Sequence, residues 1–200
     1  MGNQSNILTL LSDGHFHSGE ELGVALGVSR AAVWKQIQAL DKLELDVHAV
    51  RGKGYRLSQP IEMLSNELIE VNMNSRSKKL LSKLEIFQKI DSTNHHVMKK
   101  AVAGIESGYA CLAEYQTSGR GRQGRQWVSP FASNIYLSVA WNFSLSPTQL
   151  AALALAIGVA VVRALKETGL NEVGLKWPND VLWQGKKLAG VLLEMSGESS

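Results

Sequence analysis

Cysteine is nearly absent. Cys111 stands alone in the apolar run YACLAEY (109–115), which excludes a disulfide framework, fits a reducing compartment and makes burial as a small hydrophobe the expectation. A long hydrophobic run is also missing. The most apolar segment, LAALALAIGVAVV, covers 13 residues from Leu150 to Val162, where a membrane span needs about 20. The opening MGNQSNILTLLSDG has no basic stretch followed by an apolar core, so it does not read as a signal peptide. Together these absences point to a cytoplasmic protein with no membrane association. Charge of one sign is not in excess either: 21 Lys and Arg face 18 Asp and Glu, a net of +3, so any anion-binding surface has to be argued locally. There is no internal repeat and no low-complexity tract. With 44% hydrophobic and 20% charged residues in 200, the chain can bury a core, and its length suits one medium domain plus a small one.

The small one comes first. SNILTLLSDG carries Ile7, Leu8, Leu10 and Leu11 at helical spacing and stops at Gly14, and SGEELGVALGVSRAAVWKQIQAL holds two helical patterns broken at GVS. Ser29 is a good N-cap for the second, whose Val33, Ile37 and Leu40 face a core. Its other face presents Arg30, Ala31, Trp34, Lys35 and Gln38. LDVHAV and GYRLS then read as strands joined by the basic tip RGKG. This is the pattern of a winged helix-turn-helix, with Ser29, Arg30, Ala31, Trp34, Lys35 and Gln38 offered to base edges and Arg51 and Lys53 to phosphates. Residues 1–60 hold six basic and six acidic side chains, so the signal lies in placement rather than in net charge. A helical module for protein contacts, or a DNA-binding fold that no longer binds, is the alternative.

SQPIEMLSNELIE reads as a connector with a short helix, and NMNSRSKKL as a polar break. The larger domain opens with the strand LEIFQKI, then DSTN capping a helix near His95. Strands follow at YACLAEYQ and NIYLSVAWNF. A capping box SPTQ with Pro147 at the first helical position launches a helix to about Thr168. EVGLKW, VLW and KLAGVLLEM close the chain as strands separated by PND and QGK. The expected class is α+β: a winged helix-turn-helix (1–62), a linker with a short helix (63–82), and a mixed, largely antiparallel sheet domain (83–200).

Within TSGRGRQGRQW (117–127), GRGRQG spells G-x-G-x-x-G. A dinucleotide fingerprint needs a helix directly after the glycines, and here a turn and a strand follow. A P-loop needs Lys and Ser or Thr after the last glycine, where Arg125 and Gln126 stand. Glycine-arginine RNA-binding tracts are longer and disordered. What remains is a loop pinned between strands that closes its backbone over a small anion, with three arginines as forked donors. KWPND adds Lys176, Asn179 and Asp180, and GKKLAG adds Lys187 ahead of Gly190. Cations for phosphates and an acid for Mg²⁺ suit nucleotidyl transfer. Taken singly, each lysine reads as a solvated surface residue.

DSTN (91–94), AEYQTSGRGRQGRQW (113–127), KWPND (176–180) and KLAG (187–190), behind a winged helix, closely resemble the bacterial bifunctional biotin protein ligases and biotin operon repressors. The resemblance runs over essentially the whole chain, motifs in the same order. It implies formation of biotinyl-5'-adenylate from biotin and ATP with Mg²⁺, transfer of biotin to a lysine of a carboxyl-carrier domain, and repression of operator DNA by a homodimer when the adenylate is bound. By motif, Ser92, Thr93, Asn94, Gln116, Gly119, Arg120, Gly121, Arg122, Lys187 and Gly190 would surround biotin. Arg122, Arg125, Trp127, Lys176, Asn179 and Asp180 would serve ATP, Asp180 also the metal, and Arg122, Lys176 and Lys187 would carry catalysis. Family members continue past KLAG into a G-x-G-x-N strand, further helices and a small β-domain, so the chain is expected to hold the N-terminal part of the ligase domain. A winged-helix repressor that senses a ligand without ligating it, and a lipoyl or octanoyl transferase relative, are the competing readings.

Overall fold

Three short helices open the chain because their apolar positions recur at helical spacing and serine caps start the second and third. The computed structural model describes residues 4–144, 150 and 152–195. Helix α1 (Gln4–Leu11) buries Ile7, Leu8 and Leu11 completely. Helix α2 (Gly19–Leu26) starts with a full capping box, Ser18 bonding the Glu21 amide and Glu21 reaching back to the Ser18 amide, and it ends at a left-handed Gly27. Ser29 caps α3 (Arg30–Leu40), and Val33, Ile37 and Leu40 are its buried face, as the spacing predicts. Strands β1 (Val47–Val50) and β2 (Gly54–Leu57) pair antiparallel through a tight turn. His17 adds a third short rung by exchanging backbone hydrogen bonds with Tyr55 at 2.9 and 2.8 Å. Gly54 is required there: its φ is +99°, and a Cβ would sit 2.0 Å from the His17 carbonyl oxygen.

The stretch NMNSRSKKL, expected as a polar break, is partly helical. After α4 (Asn66–Asn72), α5 (Ser75–Leu80) forms because the Asn74 side chain accepts the Ser77 amide and caps a new turn.

The second unit begins as a β-α-β crossover. Strand β3 (Lys83–Phe87) runs parallel to β4 (Tyr109–Ala113), with α6 (Thr93–Val102) between them, and β5 (Tyr136–Ala140) pairs antiparallel with β4. All five β4 residues are buried, which is why that strand reads as an unbroken apolar run. The capping box at Ser146–Gln149 lies outside the described residues, and the helix read from it is α7 (Leu153–Glu167). Strands β6 (Val173–Lys176), β7 (Asp180–Trp183) and β8 (Lys186–Gly190) form an antiparallel meander. Its last turn, Gln184-Gly185, has φ of 48° and 74°, the geometry that suits the strand twist of a two-residue hairpin.

The sheet of this second unit is mixed, as expected, but its described strands form two three-stranded sheets, β3-β4-β5 and β6-β7-β8, apart from the β1-β2 pair of the winged unit. Strands read as LEIFQKI, NIYLSVAWNF and KLAGVLLEM are shorter than expected, because the continuous ladders end at Phe87, Ala140 and Gly190. Helix α7 packs on β6 and β7, and Leu137 and Val139 on β5 remain half-exposed.

Candidate functional site

Beyond β3 and β4 the two segments stay side by side. Ile90 donates to the Tyr115 carbonyl at 3.1 Å, Thr117 to Ile90 at 2.9 Å and Ser118 to Asp91 at 2.8 Å. This brings DSTN beside Gln116. Ser92 and Thr93 are buried, 2% and 3% exposed, and Ser92 caps α6 through the His95 amide. The Thr93 amide and hydroxyl both donate to Gln116 Oε1, at 2.9 and 3.1 Å. Gln116 Nε2 donates to Ser129 Oγ at 3.0 Å, and the Ser138 hydroxyl donates to Thr93 Oγ1 at 2.9 Å. Asn94 Oδ1 is buried with no hydrogen-bond partner among the described residues, an acceptor whose desolvation a ligand donor would relieve. At the rim, the hydrogen bond from His95 and then the Ser92 amide hold the Asp91 carboxyl below its ordinary range.

The glycine-arginine loop is a small hairpin in its own right. Gly121 donates to the Arg125 carbonyl at 2.7 Å and Trp127 to Gly119 at 2.9 Å. Gly119 is buried, and a Cβ there would meet Trp127 O at 2.4 Å, Ser129 Oγ at 2.6 Å and Gln116 Nε2 at 3.2 Å. No other residue fits so close a backbone approach. A cavity of about 720 Å³ is lined by residues 117–126 together with Leu192, Leu193 and Glu194.

Charged groups gather on the far side of the hairpin. Arg122 Nη1 donates to Asn179 Oδ1 at 3.1 Å, and Asn179 is locked to Val191 by two bonds, 2.8 Å through its side chain and 2.9 Å through its backbone. Lys187 Nζ lies 2.7 Å from Asp180 Oδ1 and 5.2 Å from the centroid of the Trp127 ring. Gly190 leaves room for it, since a Cβ would approach Lys187 Nζ to 3.2 Å. Arg122, Trp127, Asn179, Asp180, Lys187 and Gly190 thus form one cluster, and Ser92, Thr93 and Gln116 form another with Asn94 adjoining it in sequence. Gly119 touches both through Trp127 and Gln116. Arg120, Arg125 and Lys176 are exposed and make no ion pair among the described residues. Ser129 and Ser138 carry no spacing signal in the sequence; only the return of the chain puts them here.

On the winged unit, Ser29, Arg30, Ala31, Trp34, Lys35, Gln38, Arg51 and Lys53 are all exposed. Ser29 also spends its side chain on the Ala32 amide at 3.3 Å. Phe16 went unnoticed in the sequence. Its ring lies 5.0 Å from the Arg56 guanidinium and 5.9 Å from Lys53 Nζ, a platform under the wing cations.

Comparison with known proteins extends this geometry. Residues 3–56 match a model described as an HTH domain. The bifunctional ligase/repressor BirA of Salmonella typhimurium is 42% identical over 193 residues, which cover 96% of this chain and 58% of that protein. The chain therefore spans a little over half the length of that relative. A biotin protein ligase from Leishmania major, solved in complex with biotin, has 30% identity and a TM-score of 0.51 over 58% of this chain and 52% of that one. A ligase from Aquifex aeolicus, solved in complex with biotin and ATP, has 37% identity and a TM-score of 0.50 over 58% and 48%. Residues 86–199, which hold both polar clusters and the hairpin between them, match the model for the biotin/lipoate A/B protein ligase family, and the chain belongs to that family.

Proposed function

We propose that the protein carrying this chain activates biotin as biotinyl-5'-adenylate, transfers it to a lysine of a carboxyl-carrier domain, and represses an operator through the winged helix. One observation carries the reading: the glycine-arginine hairpin joins a neutral donor-acceptor network to a cationic cluster. Biotin has that polarity, a ureido ring at one end and a carboxylate at the other. In this reading Asn94 Oδ1 takes a ureido N–H, with Ser92, Thr93 and Gln116 shaping the neutral end. Gly119 and Gly121 let the backbone approach. Arg120, Arg122 and Lys187 meet the carboxylate, with Gly190 making room for Lys187. Arg122, Arg125, Lys176 and Asn179 serve the ATP phosphates, and Trp127 stacks near the adenine.

The reaction needs no covalent enzyme nucleophile. The biotin carboxylate attacks the α-phosphorus, a C–O–P link forms, and the bond to the β-phosphate oxygen breaks to release pyrophosphate. Two anions must be held together while charge builds on the phosphoryl oxygens, the task that preorganised Arg and Lys side chains perform best. The carrier lysine then attacks the acyl carbon and AMP leaves. Mg²⁺ is commonly held by one or two carboxylates plus substrate phosphates. Asp180 fits as that single carboxylate, since one of its oxygens engages Lys187 and the other has no partner among the described residues; the ion would supply further neutralisation of the phosphates.

The names of the relatives support biotin as the acid and a repressor role for the winged unit. We infer in addition that the adenylate-bound protein acts as a homodimer on a two-fold operator, the arrangement by which paired winged helices read two half-sites. The free, buried Cys111 and the lack, among the described residues, of a helix able to cross a membrane are compatible with the cytoplasm. The deciding measurement is exchange of labelled pyrophosphate into ATP by the protein carrying this chain. Exchange should require biotin and ignore lipoate or octanoate. Lipoate-dependent exchange would reassign the acid, and exchange with no acid would reject the reading.

A further inference from the structure

Glu114 is 3% exposed and lies just after β4, two residues before Gln116. No lysine or arginine pairs with it among the described residues. Its carboxylate instead accepts the backbone amide of Leu64, 50 residues away in the linker, at 2.6 Å. Burial pushes its carboxyl above the ordinary range and the Leu64 amide pulls the other way. A buried carboxylate satisfied by a linker amide is an expensive way to hold a strand end, so its position calls for a reason.

Both legs of the glycine-arginine hairpin rest on the winged unit. On the outgoing leg Glu114 holds Leu64, and Tyr115 packs against the winged core. On the returning leg, Phe131 is buried in the cluster of Ile7, Leu8, Leu11 and Leu40, with Ala132 beside it. The Ala132 amide donates to the Glu114 carbonyl at 3.0 Å, tying the legs together. From there the bonds run on into the neutral network: Ser129 accepts from Gln116, which accepts from Thr93, and Ser129 in turn donates to the Trp127 carbonyl at 3.2 Å.

We propose that Glu114 is a latch between the two units: it clamps the linker at Leu64 to the base of the hairpin, so that a displaced linker loosens Thr93, Gln116 and Trp127. By reciprocity, whatever orders the hairpin also fixes the linker and with it the winged helix. The latch stands on these contacts alone; its ligand arm rests on the biotin reading.

Amide hydrogen exchange in the protein carrying this chain tests it. Glu114→Leu removes the acceptor, Leu64→Pro removes the donor and keeps the carboxylate, and Glu114→Gln keeps an acceptor oxygen. The first two should speed exchange at Thr93 and Trp127 by about tenfold or more, the scale of one lost charge-assisted hydrogen bond, whereas Glu114→Gln should stay within about threefold of the parent. Unchanged Thr93 and Trp127 amides in Leu64→Pro would overturn the latch, as would Glu114→Gln behaving like Glu114→Leu. Should Glu114→Leu fail to fold, the other two variants decide. Adding biotin to the parent should slow exchange at Leu64. If biotin binds and Leu64 does not respond, the coupling is wrong; if biotin does not bind at all, the ligand reading fails while the amide results still judge the latch.

Discussion

Lys187 shows how much of the candidate site is electrostatics at single atoms. Its ammonium is held by Asp180 and the Trp127 face, although the side chain is 42% exposed, and an exposed ion pair of this kind adds little stability. Its value would lie in being aimed. Lys187→Ala should therefore lower biotin-dependent pyrophosphate exchange by about 10²–10³-fold, the range for one preorganised transition-state donor, and leave the melting temperature unchanged. Parental exchange rates would reduce it to a surface lysine. Glu85 behaves differently. The hydrogen bond from Lys83 at 2.5 Å, with Tyr109 and His96 on the same carboxylate, lowers its pKa from 4.5 to about 2. In the unfolded chain Glu85 takes up its proton near the ordinary value, whereas in the folded chain it resists until about pH 2. Its stabilisation is thus present above about pH 4.5 and is lost as pH falls toward 2. Urea midpoints of Glu85→Gln should fall less steeply across that window than those of the parent, and parallel acid limbs would reject the assignment.

Among the elements, α3 and the β1–β2 wing separate two kinds of recognition. Gln38 and Trp34 lie on the exposed face of a helix whose opposite face is anchored by Val33, Ile37 and Leu40. Lys53 sits at the wing tip above Phe16. If the helix enters a groove and the wing lies on the backbone, Lys53→Ala should weaken binding about equally on all duplexes and reduce the salt slope by about 0.9. Gln38→Ala should instead change which base is preferred, seen in a randomised-site selection. Salt-insensitive, equal loss in both variants would remove DNA from the reading. The hairpin at 117–127 is an element of another sort. Its glycines at 119 and 121 are legible as a loop, but the collision that forbids a side chain at Gly119 involves Trp127 and Ser129, partners that local sequence does not identify.

At the scale of the molecule, Phe131 joins the two units. It is 3% exposed and belongs to the core of the winged helix while sitting in the ligase half of the chain. Phe131→Ala should cost about 3–5 kcal/mol and lower the unfolding midpoint of both units together, followed by amide signals from each. A shift confined to residues beyond 83 would mean that the units are energetically independent.

What the sequence determined by itself is everything governed by near neighbours. The cap at Ser29, the buried stripe Val33, Ile37 and Leu40, the wing between two glycines and the apolar central strand all follow from periodicity and side-chain chemistry within a few residues. The helix at Ser75–Leu80 lies within the stretch expected as a polar break, because its start depends on the Asn74 cap rather than on apolar periodicity. Motif order also brought Arg122, Asn179, Asp180 and Lys187 into one hypothesis. The tertiary structure alone decided which of them meet: Arg122 finds Asn179 across 57 residues, and Lys187 finds Asp180, while Arg120, Arg125 and Lys176 stay in solvent. It also decided that Glu114 and Phe131 bind the two units together. Such pairings depend on where strands separated by long crossovers come to rest, and side-chain spacing along the chain carries no record of that.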